Sequence, residues 1–497
     1  MTAQPRSSTT RRPSPGATFA VLAAGVLSFA MLQSLIAPVL PTIQAELHTS
    51  QRLVTWVLTA NLLSAAIFTP IVGRIGDAIG KRRALLGVLA ALAAGSLLAA
   101  FAPNLTVLIV ARVVQGAAGA VFPLAFGIIR DEFPAQRVPV AVGAMSAVIA
   151  AGGGLGIVLA GPIVEVLGYG WLFLIPMIVV TVAAIAAYLF VPESPVRQPG
   201  RISWVAAGLL ATWLAALLLA VSQGPSWGWA SARTIAVAVV AVVALTAWLT
   251  AEVRSATPLI DLRMMRLPAV WTTNLVALLF GAGWFAIFAF LPQFVQTPAA
   301  AGYGFGASVS EAGLLMVPMV VTMSLAGVLS GRIERSVSSK SQLVLGSAAG
   351  VLAAAVLAFA HDERWQIALA AAVFGLAAGL AFSAMTNLIV GSVPPQQTGA
   401  ASGMNANFRT IGGSIGAALM GSIVAGQVQP GRLPAEGGYT SGFLLLTGTS
   451  LAALIAALLV PSRRRSGAAS ATAGQLTERG RTDEPDRAER VRVPAAR

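Results

Sequence analysis

The sequence predicts an all-α membrane protein with fourteen transmembrane helices. Three observations carry this: the number and length of the apolar runs, the side on which the loop cations fall, and a duplication of the two halves. A helix rises about 1.5 Å per residue, so roughly 20 apolar residues cross a hydrocarbon core about 30 Å thick. Such runs lie at 17–40, 53–73, 83–102, 105–129, 137–161, 169–191, 203–222, 233–253, 270–294, 309–330, 341–360, 364–391, 397–426 and 441–461. With 57% hydrophobic and only 10% charged residues in 497, the chain lacks the polar surface that a water-soluble fold of this size requires.

Orientation follows from the cations. With the N-terminus inside, twenty Lys and Arg residues fall in inside loops and membrane-proximal tails, whereas the outside loops hold four, Arg52, Arg233, Arg364 and Arg432. The positive-inside rule then predicts a multi-pass protein of the plasma (cell inner) membrane with both termini cytoplasmic. The first apolar run is too long for a signal-peptide core and reads as the first span.

The same distribution explains the net charge of +14, which marks the cytoplasmic side of a lipid bilayer and calls for no nucleic acid partner. The chain has no cysteine, and its two histidines, His48 and His361, fall in loops, so no metal site is expected. No Ser/His/Asp or Cys/His set is present either, which argues against an enzyme. The Ser-, Thr-, Pro- and Arg-rich start and the Ala, Arg, Glu and Pro mixture at the end lack apolar periodicity.

The two halves match at three places. Gly73-Arg-Ile after span 2 recurs as Gly331-Arg-Ile after span 10, 258 residues later, and Gly152-Gly-Gly-Leu-Gly156 in span 5 recurs as Gly412-Gly-Ser-Ile-Gly416 in span 13, 260 residues later. A looser pair, Leu40-Pro41 with Leu291-Pro292, is offset by 251. Duplicated halves are a transporter signature. The expected layout is a disordered tail over 1–16, a six-helix bundle over 17–192, two linker transmembrane helices with their loops over 193–267, a second six-helix bundle over 268–462 and a disordered tail over 463–497.

Three motifs carry mechanism. The loop Gly73-Arg-Ile-Gly-Asp77-Ala-Ile-Gly80-Lys81-Arg82-Arg83 sets one carboxylate among cations in a glycine-punctuated turn, where Asp77 can cap a helix or pair with a cation. In span 4, Arg112 is a permanent charge inside an apolar helix, which costs several kcal/mol or more unless it faces a cavity or partners. Gln115, one turn on, extends that polar strip before Gly116. Gly152, Gly156, Gly161 and Pro162 in span 5 combine close helix contact with a bend.

Together these resemble the major facilitator superfamily. Gly73, Asp77, Gly80, Lys81 and Arg82 look like its loop signature, Arg112 to Gly119 like its span 4 arginine motif, and Gly152 to Pro162 like the glycine-proline motif of its antiporter branch. Fourteen spans resemble its drug:proton antiporter family. The resemblance implies two six-helix bundles in an MFS-type fold and a secondary exporter of hydrophobic or cationic small molecules, such as drugs, antibiotics and toxic metabolites. It further implies alternating access, a proton gradient as energy source with no cofactor, and a working monomer. A transporter of a specific metabolite or lipid-like compound without standard proton coupling, and a transport-inactive membrane sensor, are the other readings.

The match has departures. Span 1 reads Met31-Leu-Gln33-Ser34-Leu-Ile-Ala-Pro38, without the aspartate common there in the family, and no acidic residue falls at the centre of any span. Glu165 and Glu311 come nearest the membrane interior and are the proton-carrier candidates. Val164 and Glu165 stand where the span 5 motif often has glycines, and Arg335 and Ser338 replace the counterparts of Asp77 and Gly80. Gln33, Asn61, Asn274, Trp284, Asn387, Asn405 and Arg409, each costly against lipid, are the candidates for a substrate cavity.

Overall fold

The apolar runs become helices whose ends are set by small polar caps. The computed structural model describes residues 15–49, 51–54, 56–194, 203–255, 258, 262–334, 336–394, 397–427 and 434–461. The tail expected over 463–497 and residues 1–14 of the N-terminal one lie outside these, as does Arg335; Pro15 and Gly16 already belong to the first helix.

Fourteen long helices follow in order. They are α1 (Pro15–Glu46), α2 (Trp56–Ile79), α3 (Lys81–Ala100), α4 (Leu105–Glu132), α5 (Val138–Leu167), α6 (Trp171–Phe190) and α7 (Trp204–Trp227). After these come α8 (Ala232–Arg254), α9 (Pro268–Gln296), α10 (Val309–Ile333), α11 (Ser339–Phe359), α12 (Arg364–Ser392), α13 (Thr398–Gly426) and α14 (Glu436–Leu459). Thirteen are long and apolar enough to cross a membrane. The exception is α13, whose hydropathy is lowered by Asn405, Asn407, Arg409, Thr410 and several glycines; it packs between α2, α9 and α14, so its polar groups face protein.

Asn104 accepts the Val107 amide at 3.0 Å to start α4, and Ser203, Ser231 and Ser338 cap α7, α8 and α11 in the same manner. Within α4 the helix tightens to a 3₁₀ turn at Ala117–Ala120. Pro123, just beyond, has no N–H to return to the carbonyl of residue 119.

The helices up to Val460 form one compact unit. Its apolar core separates as the duplication anticipates: one cluster lies within α1 to α6, two lie within α9 to α14, and a fourth joins α7 and α8 to α2, α9, α12 and α13. The linker helix α7 rests on α2 and α13, and α8 packs on α7.

The matched glycines make matched crossings. A Cβ at Gly156 would lie 2.6 Å from the Met31 carbonyl oxygen of α1, and one at Gly416 would lie 2.6 Å from the Ala282 carbonyl carbon of α9. Between the halves, a Cβ at Gly73 of α2 would meet the Gly399 carbonyl oxygen of α13 at 2.9 Å, and one at Gly331 of α10 would meet Pro139 O of α5 at 2.6 Å. Helix 2 of each bundle thus crosses helix 5 of the other, and only glycine admits backbones this close.

Gly156→Val is therefore expected to force α1 from α5 and destabilise the protein by about 1–3 kcal/mol, the usual range for overpacking. Thermal unfolding in detergent checks this, with Gly208→Ala as control, because a Cβ at Gly208 meets nothing within 4 Å.

Candidate functional site: a central cavity above a charged latch

A cavity of about 550 Å³ opens at the seam of the two bundles, within the usual range for a drug-sized ligand. Its lining comes from α1, α2, α4, α5, α7, α9, α10, α12 and α13, and it extends to Leu40, Leu58, Gln293 and Gly421 near the helix ends remote from Asp77. Of the sequence candidates, Gln33, Asn61, Arg112, Trp284 and Arg409 line it. Asn274, Asn387 and Asn405 do not: Asn405 Nδ2 donates to Asn274 Oδ1 at 2.9 Å, a bond between α13 and α9, and Asn387 is half-buried on α12.

Arg112 is held by α2. Its Nε donates to the Val57 carbonyl at 3.0 Å and its Nη1 to Gln115 Oε1 at 2.8 Å, while Gln115 Nε2 donates on to Ser96 Oγ of α3 at 3.0 Å. Asn61 Nδ2 returns a bond to the Arg112 carbonyl at 3.1 Å. Gly116 makes this register possible, since a Cβ there would stand 2.8 Å from the Asn61 carbonyl oxygen. A charge buried in a membrane helix is thereby compensated by dipoles alone.

Arg409 is held differently. Its guanidinium lies 4.8 Å from the Phe382 ring centroid. Trp284 meets Phe382 edge-on at 5.4 Å and stacks on Phe288 at 5.7 Å and on Phe374 at 5.8 Å, so an aromatic wall faces the arginine. Gly281 of α9 gives the Arg409 backbone room, with Arg409 Cα 3.0 Å from where a Cβ would sit.

At the cation-rich ends of the helices the loop signature folds into a latch. Asp77 Oδ2 accepts the Ala400 amide at 3.3 Å, which sets a carboxylate of the first bundle on the first turn of α13 in the second. The unpaired amides and the dipole at a helix N-terminus favour that negative charge. Arg130 reinforces the junction, donating from Nη1 to Thr398 Oγ1 at 2.6 Å and from Nη2 to the Val393 carbonyl at 3.0 Å. Lys81 pairs with Asp131 at 2.7 Å, both side chains 1% exposed, and Ser194 donates to the same carboxylate. The Arg82 amide donates to Glu193 Oε1 at 3.2 Å, and the Arg82 guanidinium donates to the Tyr188 carbonyl and covers the Tyr188 ring at 5.2 Å. Gly80, at φ +116°, makes the sharp exit from α2, where a Cβ would run into the Glu193 carboxylate.

The remaining motif residues are structural neighbours of the cavity. A Cβ at Gly152 would lie 2.8 Å from the Leu27 carbonyl oxygen of α1, one at Gly161 would lie 3.1 Å from Ser310 Oγ of α10, and Pro162 is exposed near the end of α5. Glu165 is exposed in the last turn of α5. Glu311 is exposed and closes a capping box with Ser308, accepting the Ser308 amide at 2.8 Å. Neither carboxylate lines the cavity.

Sequence reasoning missed the partners of the latch, Asp131, Glu193, Ser194 and Arg130. It also missed the corresponding polar cluster in the second bundle, where Gln342 Nε2 donates to Glu334 Oε2 at 2.8 Å and Ser330 stands 2.9 Å from Ser383. Burial raises the Glu334 carboxyl from its ordinary value against the hydrogen bonds from Ser339 and Gln342. A buried Gln beside an acid in a serine-rich stretch was the available signal.

The family model described as Major Facilitator Superfamily matches residues 22–417 and 275–488. The chain is 29% identical over 392 residues to the methylenomycin A resistance protein of Streptomyces coelicolor, spanning 76% of this chain and 79% of that one. It is 27% identical over 422 residues to the tetracenomycin C resistance and export protein of Streptomyces glaucescens, spanning 84% and 77%. The crystal structure of the human organic anion transporter MFSD10 (TETRAN) shares the fold, with a TM-score of 0.67 at 16% identity over 90% of this chain and 100% of that one.

Lys81→Met is expected to strand the Asp131 charge and lower stability by about 3–5 kcal/mol, whereas Lys81→Met with Asp131→Leu recovers most of it, because the two charges are buried together. Denaturation of the two purified variants in detergent checks the difference.

Proposed function

The chain belongs to the Major Facilitator Superfamily, and on that premise we propose that it is a secondary active exporter of small hydrophobic molecules, antibiotics and other drugs among them, working by alternating access. The observation that carries the reading is the cavity at the bundle seam, sealed at one end by the α2–α13 contact. The named resistance and export functions of the two bacterial relatives support the direction and the cargo. The chain is a multi-pass membrane protein. Its place in this reading is the plasma membrane with both termini inside, acting as a monomer. The Asp77 end is then cytoplasmic, and the described state is closed toward the cytoplasm.

The alternation itself is a rocking of the bundles about the α2–α13 and α5–α10 crossings. Opening the cytoplasmic side separates Asp77 from the α13 N-terminus and Arg130 from Thr398, while the helix ends around Leu40 and Gln293 close. Proton antiport is the proposed energy source. Asp77 is the carboxylate best placed to couple a proton to this movement, because its bond to Ala400 crosses the moving seam. A second reading, transport without standard proton coupling, is favoured by one observation: no Asp or Glu lines the cavity among the described residues.

Cells making the protein are expected to retain less of a hydrophobic antibiotic panel than cells making Arg112→Ala, whose efflux falls by about tenfold or more for loss of charge-assisted bonds. Efflux that stops when an uncoupler collapses the proton gradient supports antiport, and efflux that continues removes it. A panel with no exported member would defeat the exporter reading.

A further inference from the structure

The charges of the cavity all have one sign. Arg112 and Arg409 line it, and among the described residues no Asp or Glu does. Neither arginine has a carboxylate partner: Arg112 bonds the Val57 carbonyl and Gln115, which occupy two of its five N–H donors, and Arg409 makes a ring contact with Phe382 and no hydrogen bond to any described residue. Positive charge without counter-charge at this depth favours an anion that enters and penalises a cation.

The remaining lining fixes the body that carries the anion. Trp284, Phe288, Phe382 and Phe122 supply flat aromatic surface, with Gln33 and Asn61 as neutral hydrogen-bonding groups. The stacked pair of Trp284 and Phe288 stands beside the Phe382 ring that carries Arg409. One wall therefore offers ring stacking and a cation with open donors side by side.

We infer that the cavity selects aromatic or polycyclic compounds that carry an ionised acidic group, a carboxylate or an enol or phenol anion, with the acid paired to Arg409 and the rings stacked along Trp284. The inference deepens the exporter reading and rests on it for the transport step alone, since binding is measured without transport.

The test uses two dyes with the same xanthene rings and opposite charge, fluorescein and rhodamine 6G. Binding to the purified full-length protein in detergent is followed by dye anisotropy, and efflux is followed in cells. Fluorescein is expected to bind at least about tenfold tighter than rhodamine 6G, the discrimination one charge-assisted contact supplies. Arg409→Gln is expected to erase that preference and Arg409→Lys to keep most of it, with melting temperature confirming that both variants fold. Equal or tighter binding of rhodamine 6G, no binding of fluorescein, or a preference untouched in folded Arg409→Gln would each overturn the inference. Fluorescein bound in this Arg409-dependent way but exported by no cell supports the inference and counts against the exporter reading; rhodamine 6G exported without fluorescein binding does the reverse.

Discussion

The close crossing of α2 with α13, and of α5 with α10, is the constraint on which the rest of the molecule depends. At both crossings a Cβ on one helix would collide with the backbone of the other, at Gly73 against Gly399 and at Gly331 against Pro139. Tight contact between backbones gives dispersion and weak polar attraction where lipid leaves no hydrophobic effect to drive helix association. Because the contact is smooth and free of long side chains, it can also part and re-form without unthreading a packed core. Beyond the α2–α13 crossing the cavity lies between the bundles, lined by Asn61 of α2 and Ser414 of α13.

The two crossings are alike in shape and unlike in charge. Asp77 sits on the N-terminus of α13, whereas position 335, the counterpart 258 residues later, is an arginine. Around Asp77 the first bundle builds ion pairs from Lys81 with Asp131 and Arg83 with Glu193, while the corresponding end of the second bundle builds its polar contacts from Gln342, Ser330, Ser383 and the acid Glu334. Among the described residues, the α2–α13 seam is the one held by a carboxylate. That asymmetry lets a change of charge at one point favour one conformation over another, which two equal latches would resist.

The helix count, the duplication and the loop signature were legible because each depends on local sequence: span length on apolar runs, crossings on glycine spacing, and the latch on residues adjacent in the chain. Gln33, Asn61, Trp284 and Arg409 were cavity candidates from the cost of polar groups against lipid, and Arg112 was read as a charge that must face a cavity or partners; all five line the cavity. The same cost argument does not separate a cavity from a neighbouring helix, and so it gathered Asn274 and Asn405, which satisfy one another at 2.9 Å. Glu165 and Glu311 looked internal by position along the chain, but the helix ends turn them outward, and Glu311 is used up in a cap. The partners of Lys81 and Arg82 lie 50 and more than 100 residues away on other helices, a distance that periodicity does not encode.

The proposed energy coupling depends on where the charges stand. A proton carrier within the cavity would compete directly with cargo for the two arginines, yet no described Asp or Glu lines it. In the proposed antiport, a proton bound at Asp77 acts on the seam and not on the ligand: neutralising that carboxylate weakens its hold on the α13 N-terminus and eases that end of the seam open. The cargo's own charge adds a separate force. An anion leaving a cell that is negative inside gains about 2.3 kcal/mol per 100 mV for each charge moved, a gradient of roughly fiftyfold. In the proposed reading, a cavity that selects anions draws on the membrane potential for export, and the proposed proton step sets the timing of the latch.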